Sequence, residues 1–318
     1  MIGISPATGN DSQVTIVVLT HNRSSEVLRT LDRLTRLTEP FPIILIDNGS
    51  VDGTATEVAA RFPHVRVVAL PRNIGAAARN VGIQAAMSPY VALCDDDTWW
   101  SEGSIRRALQ VLERHPRVAI VTAKVLVGPE EREDPVCRLM AESPLPRPVG
   151  LPYPSLIGFL AGASLVRREA ILSVGGFEPR FVIGGEEALL SYDLANAGWS
   201  MVYLPTATVH HHPSLARDSQ QRRHLLKRNA LWLLWLRRPL TSVLRESWRE
   251  LTSPPVAHEF GAILQETLVQ GKWLWSHRRV IRNELETQIR MLEQQRECPQ
   301  RRDAARLPPS AHPSRSTR

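Results

Sequence analysis

The sequence predicts an α/β protein: a mostly parallel, Rossmann-like sheet with flanking helices, then a C-terminal helical extension. Two observations carry that expectation. As far as Cys94, continuous β-branched runs alternate with amphipathic helical stripes, the pattern of strands covered on both faces by crossover helices. Beyond Pro213 the strand pattern stops and helical periodicity remains.

The elements follow in order. Val14 to Thr20 (VTIVVLT) reads as a strand buried on both faces. Ser24 to Leu37 places Val27, Leu28, Leu31 and Leu34 on one helical stripe. Ile43 to Ile46 is a second buried strand. Thr54 to Phe62 is a short helix in which Thr54 and Glu57 have capping-box spacing. Val65 to Leu70, Ala76 to Met87 and Tyr90 to Cys94 continue the alternation as strand, helix and strand.

Ser101 to His115 and Val118 to Val127 extend it by one helix and one strand. Gly128 to Pro154, rich in proline and charge, reads as an irregular excursion. Regular structure is expected again over Ile157 to Arg167. A helix over Glu169 to Val174, a turn at Gly175-Gly176-Phe177, a helix over Glu186 to Ala197 and a strand over Trp199 to Leu204 follow. Leu225 to Leu236 forms an apolar helical stretch with Trp232 and Trp235, broken by Pro239. Another helix is expected from about Glu259 to Glu297, and the Arg-, Pro- and Ser-rich tail from Pro299 reads as disordered.

The 318 residues are 43% hydrophobic, enough to bury a sizeable core in one large or two ordinary domains. No apolar run reaches the roughly 18 residues of a membrane span. Met1 to Ser12 lacks the basic-then-apolar layout of a secretory signal, so a cytoplasmic location is expected. The three cysteines, Cys94, Cys137 and Cys298, fit neither a zinc knuckle nor a disulfide framework, and Cys94 reads as a buried thiol. The net charge of +7 is uneven, with arginine dense from Arg217 onward. Such a segment suits nucleic acid, anionic lipid, an anionic substrate or simply a solvated helix face.

In a sheet of this kind ligands bind at the carboxyl ends of the strands. Asp47 ends the second predicted strand, and Asp95, Asp96 and Asp97 end the fourth. Adjacent carboxylates repel and need a cation or donors nearby. Oxygen-rich sites suit Mg²⁺ or Mn²⁺ shared with substrate phosphate. An acidic triplet alone reads more readily as a cap for the helix over Ser101 to His115 or as a solvated turn. A second strand-end aspartate in the same half favours a site.

Five ordered segments then resemble the family-2 glycosyltransferases. Thr20-His21-Asn22-Arg23 is similar to the family's T-Y/F-N-R. Asp47-Asn48-Gly49-Ser50-Val51-Asp52-Gly53-Thr54 is close to D-N-G-S-x-D-G-T. Asn73-Ile74-Gly75 with Ala78-Arg79-Asn80-Val81-Gly82 matches N-x-G-x-x-x-A-R-N-x-G. Asp95-Asp96-Asp97 stands where the family has D-x-D. Gly175-Gly176-Phe177 and Gly185-Glu186-Glu187 come later. The resemblance spans about Val14 to Ser214 and implies the GT-A fold.

The resemblance implies roles. Asp47 would accept from the nucleotide base, with Thr20 and Asn22 shaping the loop beneath. Asn73, Asp52 and Arg79 would help form the nucleotide-sugar pocket, with Arg79 near ribose or diphosphate. Asp95 would face the ribose, and Asp96 would join the same nucleotide-sugar site. Asp97 would bind Mn²⁺ or Mg²⁺ with one histidine of His210-His211-His212, for which the register after Pro205 favours His211. The family's acceptor-side E-D pair is here Glu186-Glu187. Glu187 aligns with the family's catalytic base, one methylene longer, and Glu186 stays a second candidate. The D-L-x-x-R pattern that follows in the family is altered to Leu189-Leu190-Ser191-Tyr192-Asp193.

Other readings weigh less on chemistry. Gly158 to Ser164 could floor a sugar pocket or pack the core. Trp99 or Trp100 could line a sugar site or pack the core. A nucleotidyltransferase would carry a basic Gly-rich loop after its first strand, and a dehydrogenase a G-x-G-x-x-G there; Thr20-His21-Asn22-Arg23 is neither. A non-catalytic nucleotide-sugar-binding module is the remaining rival, with Glu186-Glu187 its support.

The expected organisation is a GT-A catalytic domain over 13–215, with a nucleotide-sugar half over 13–100 and an acceptor half over 101–215. A basic helical extension over 216–298 and a disordered tail over 299–318 complete it. The expected activity is metal-dependent, inverting, hexosyl-type transfer to an acceptor hydroxyl, in polysaccharide, cell-envelope or glycoconjugate synthesis. The donor would be a nucleoside-diphosphate sugar, UDP favoured. A lipid-linked acceptor and peripheral contact of the C-terminal helices with the inner membrane face are expected partners; nucleic acid is not. The alternative is a helical subdomain packed on the catalytic core.

Overall fold

The computed structural model describes residues 12–148, 150–213, 219–252 and 257–304. Strands β1 (Val14–Thr20), β2 (Ile43–Asp47), β3 (Arg66–Ala69) and β4 (Tyr90–Asp95) alternate with helices α1 (Ser24–Leu34), α2 (Thr54–Arg61) and α3 (Ala78–Ala85). Then come β5 (Thr98–Trp100), α4 (Ser104–Arg114), β6 (Val118–Val127), β7 (Arg132–Glu133), α5 (Pro135–Ala141), β8 (Ser155–Leu156), β9 (Ser164–Arg167) and α6 (Arg168–Ser173). Helix α7 (Glu186–Asn196) and the long strand β10 (Ser200–His211) close the sheet. The extension holds α8 (Ser219–Arg237), α9 (Leu240–Thr252), α10 (Ala257–Val269), α11 (Gly271–Ser276) and α12 (Asn283–Ala304).

The sheet runs β3-β2-β1-β4-β9-β6-β10-β5, with β7 on β6 and β8 on β10. The first four strands are parallel, β9 runs antiparallel between β4 and β6, and β10 pairs parallel with β6. The β-branched runs of β1 and β2 lie at the centre, and Ile16, Val17, Val18, Leu45 and Ile46 are fully buried. Helix α1 lays Val27, Leu28, Leu31 and Leu34 on the sheet, the stripe its sequence predicts. A Cβ at Gly82 would lie 2.4 Å from Val17 Cγ1, so α3 packs against β1 only without a side chain there. This parallel register brings the ends of β2 and β4 to one edge and sets Asp47 and Asp95–Asp97 there together.

Several expectations need correction. The Thr54–Glu57 capping box does not form, because Glu57 accepts from Ser24 and Asp52 accepts the Thr54 N–H instead. Helix α1 ends at Leu34, three residues early, and β3 is one residue shorter at each end than expected. The excursion after Gly128 contains α5, started by Asp134 accepting the Val136 N–H and by Pro135 in the first turn. Of Ile157 to Arg167, only Ser164–Arg167 is a strand. The single helix expected from Glu259 to Glu297 is three, with a non-helical stretch at 277–282. Helix α12 runs past Pro299 to Ala304; the remainder of the expected disordered tail lies outside the described residues.

Among the described residues no helix is long and apolar enough to cross a membrane. Cys94 is a buried free thiol, and burial raises its pKa strongly.

Candidate active site

Two clusters meet at the carboxyl edge of the sheet. The first lies where β4 turns into β5. Asp96 and Asp97 are buried, at 6% and 5% exposure. Arg23, just before α1, reaches across with its guanidinium 3.0 Å from Asp96 and 3.5 Å from Asp97. Thr20 at the end of β1 donates to Asp96 at 3.1 Å, and Thr30 donates to the Asp96 carbonyl at 2.7 Å. Burial pushes the Asp96 carboxyl up to about 7, against the opposing pull of Arg23. Asp96 therefore ties the acidic loop to β1 and α1 and faces inward.

Asp97 has a different neighbour. His211, at the end of β10, places Nε2 3.6 Å from Asp97 Oδ1. The antiparallel pairing of β10 with β5 sets His211 opposite Thr98 and His210 opposite Trp99. Alternation along the strand then turns His210 and His212 the other way. His210 bonds Ser101 at 2.7 Å, lies 3.1 Å from Glu131 and stacks on Trp99. His212 packs on the same indole. Trp99 thus packs against both histidines, and Trp100 is a core residue at 1% exposure.

Among the described residues no three His, Cys, Asp or Glu side chains form a group able to hold a metal ion alone. One carboxylate and one imidazole fit a cation that takes its remaining ligands from substrate oxygens and water, the usual habit of Mg²⁺ at phosphates.

The second cluster surrounds Arg79 on α3. Arg79 is buried, ion-paired with Asp95, and lies over the Phe177 ring at 5.7 Å. Burial alone would lower its pKa, but Asp95, Glu187 and Glu186 in turn raise it. Arg79 is thus the internal counter-ion of three carboxylates. Glu187, in the first turn of α7, accepts the Ala161 N–H at 2.6 Å. Burial, then the adjacent Glu186, pushes the Glu187 carboxyl up to about 7. Glu186 is 7% exposed, its pKa is raised chiefly by burial, and its Oε2 is buried without a hydrogen-bond partner.

The small-residue stretch Gly158 to Ser164 supplies the wall between the clusters. The Gly162 carbonyl accepts from Thr98 at 2.9 Å, and Thr98 accepts the Asp95 N–H at 2.8 Å. A Cβ at Gly162 would sit 2.7 Å from Asp95 Oδ2. Asp95, with 38% of its side chain exposed, is the most open of the three aspartates and joins the clusters.

The remaining candidates lie at the end of β2 and in the loops after β1, β2 and β3. Asp47 is buried at 3% and accepts the Ser50 N–H at 3.0 Å. Asn22 adopts φ 51°, a left-handed conformation that asparagine tolerates, and accepts the Val51 N–H at 2.8 Å. Asn73 is exposed and accepts from Asn48 and the Gly75 N–H. Asp52 is exposed and accepts from Thr54, closing the start of α2.

Three contributors escaped the sequence reading. Arg23 stood inside a recognised motif without a role. Ala161 acts through its main chain, which carries no side-chain signal. Asn229 on α8 is fully buried and donates to the carbonyls of Phe181, Ile183 and Gly184, the loop that leads into Glu186. Its one signal is an amide inside an apolar helical stretch.

Residues 15–175 match the profile described as Glycosyl transferase family 2. The chain is similar to an N-acetylglucosaminyl-diphospho-decaprenol L-rhamnosyltransferase of Mycobacterium tuberculosis, at 28% identity over 73% of this chain and 89% of the relative. It is also similar to a pre-mycofactocin glycosyltransferase of the same organism, at 30% identity over 67% of this chain and 46% of that protein. A mannosyltransferase from Pyrobaculum calidifontis, solved in complex with GDP-Man and Mn²⁺, shares the fold. The TM-score is 0.53 at 20% identity, covering 81% of this chain and 70% of that one.

Proposed function

The chain belongs to glycosyl transferase family 2, and on that premise we propose that it moves a sugar from a nucleoside-diphosphate sugar to a hydroxyl of a lipid-linked acceptor, inverting the anomeric centre. The setting is polysaccharide, cell-envelope or glycoconjugate synthesis. One observation carries this reading: the buried Arg79 draws the donor-side Asp95 and the acceptor-side Glu187 into a single charge cluster. The mycobacterial relative whose name specifies a diphospho-decaprenol acceptor supports the lipid-linked class.

In this reading Asp47, with Thr20, Asn22 and Asn73 shaping the loops around it, receives the nucleotide base. The Arg79–Asp95 pair fixes Asp95 towards the ribose. Asp96 holds the acidic loop in place through Thr20 and Arg23. Asp97 and His211 would hold a divalent cation, Mn²⁺ or Mg²⁺, together with diphosphate oxygens. Such a cation neutralises charge on the leaving diphosphate.

Glu187 is the general base. Its bond from Ala161 fixes its orientation, and a carboxyl near pH 7 is matched to taking a proton from a hydroxyl. As Glu187 takes that proton, the acceptor oxygen bonds to the anomeric carbon and the diphosphate departs with the electron pair of the broken C–O bond. A single displacement inverts configuration and needs no enzyme nucleophile. The adjacent Glu186 raises the Glu187 carboxyl pKa by like-charge repulsion and adds to the negative field on Arg79.

The test is a panel of nucleotide sugars with Mn²⁺, each assayed for acceptor-dependent release of nucleoside diphosphate. Release with one donor supports the proposal. Binding without release from any donor, across lipid-linked and soluble acceptors, would support the binding-module alternative.

A further inference from the structure

Behind α7 the C-terminal helices form a half-open cavity of about 860 Å³ that takes no part in the steps above. Leu234 and Trp235 of α8, Leu264 and Leu268 of α10, and Trp275 of α11 are among its walls. Its volume lies within the roughly 300–1,000 Å³ range of ligand sites, and its mostly hydrocarbon walls suit an apolar ligand. It opens to an apolar surface, since Leu268 and Trp275 are each 72% exposed.

Its charge and position narrow the occupant. Lys227 and Arg278 line it. Its two carboxylates, Glu246 and Glu293, are ion-paired with Arg245 and Arg238. Arg278 donates to the carbonyls of Trp235 and Arg238. The cavity also borders the helix that carries the proposed base. Tyr192 lies on α7, the helix that Glu186 and Glu187 begin. Leu226 packs on Gly184, two residues before Glu186, where an added Cβ would come within 2.4 Å of it.

We propose that this cavity takes the hydrocarbon chain of the acceptor's lipid phosphate, entering from the Leu268–Trp275 rim, with the phosphate held by Lys227 and Arg278. The inference rests on the lipid-linked-acceptor reading and adds to it the place where the lipid sits. An apolar chain displaces poorly held water from hydrocarbon walls, and anchoring it beside α7 orients the sugar hydroxyl towards Glu187.

Gly271 provides the test. It lines the cavity, and a Cβ there meets nothing within 4 Å, so Gly271→Phe fills the space without a backbone clash. The intrinsic fluorescence of the full chain, with Trp235 and Trp275 on the walls, is titrated with farnesyl phosphate. Farnesol and inorganic phosphate serve as controls. The expected result is saturable binding of farnesyl phosphate, tighter than either control and weakened at least tenfold in Gly271→Phe. Ala230→Trp, on another wall, serves as a second variant, and melting curves verify both folds. Equal titrations for wild type and folded variants would overturn the proposal. So would a response only to phosphatidylglycerol vesicles, which would assign the surface to a bilayer. Transfer assays separate the two readings. A soluble sugar acceptor used as well as a polyprenyl-diphosphate-linked one removes the lipid-linked reading. A preferred lipid acceptor with unchanged farnesyl phosphate binding in the variants removes only the cavity.

Discussion

Glu187 accepts the main-chain N–H of Ala161 at 2.6 Å, which fastens the proposed base to the short turn facing Asp95. The base and the acidic loop are therefore positioned by one segment, and disturbance of that segment is felt on both sides of the reaction.

Gly162→Ala is the smallest such disturbance. Its Cβ would lie 2.7 Å from Asp95 Oδ2, so the carboxylate must move. A displacement of about 1 Å near reacting groups can cost on the order of 100-fold. The expected outcome is a fall in kcat/KM of that order, with the melting temperature changed far less than the activity.

The pH dependence follows from Glu187. Its carboxyl is pushed up to about 7, mainly by burial. A base acts only when ionised, so lowering the pH through about 7 protonates it and removes activity. At saturating substrate, kcat should fall about tenfold per pH unit on the acid side. A profile flat down to pH 5 would remove Glu187 from this role.

Asp97 and His211 should differ sharply from His210. Lewis-acid assistance contributes several kcal/mol, so Asp97→Asn should lower Mn²⁺-supported turnover by roughly 100-fold or more. His211→Ala should raise the Mn²⁺ concentration needed for half-activity. His210→Ala, which loses contacts to Ser101, Glu131 and Trp99, should leave that concentration unchanged. Metal titrations of initial rate check all three.

Asn229 should act at a distance. Its amide serves three carbonyls of the loop in which Val182, Gly184 and Gly185 have left-handed backbone. Asn229→Leu removes the donor from all three and leaves the buried Phe181 carbonyl unpaired, at about 1–3 kcal/mol where no replacement is found. The expected result is a lowered melting temperature and a reduced kcat with little change in donor KM, read by calorimetry and steady-state kinetics.

The strand-helix alternation was legible because β1 and β2 are buried on both faces and α1 carries an uninterrupted apolar stripe. Asp47 and Asp95–Asp97 could be located from strand ends alone. The partnerships could not. Arg79 pairs with Asp95 inside the fold, and the sequence does not show that α3 points this arginine inward under Glu187. Asp96 resembles its neighbours in sequence, yet Thr20 and Arg23 turn it into the protein. The break between α11 and α12 was hidden because Arg278 to Arg282 carries no glycine or proline. There the chain leaves helical form as the Arg279 and Ile281 N–H groups donate to carbonyls of α8.

The most direct test compares wild type with Glu187→Gln, using the donor and acceptor found active in the panel. Glutamine keeps the side chain's size but cannot take the hydroxyl proton. The account predicts unchanged donor affinity and a loss in kcat of roughly 100- to 10,000-fold, the span of general-base catalysis. Nucleoside-diphosphate release by Glu187→Gln at the wild-type rate would contradict it.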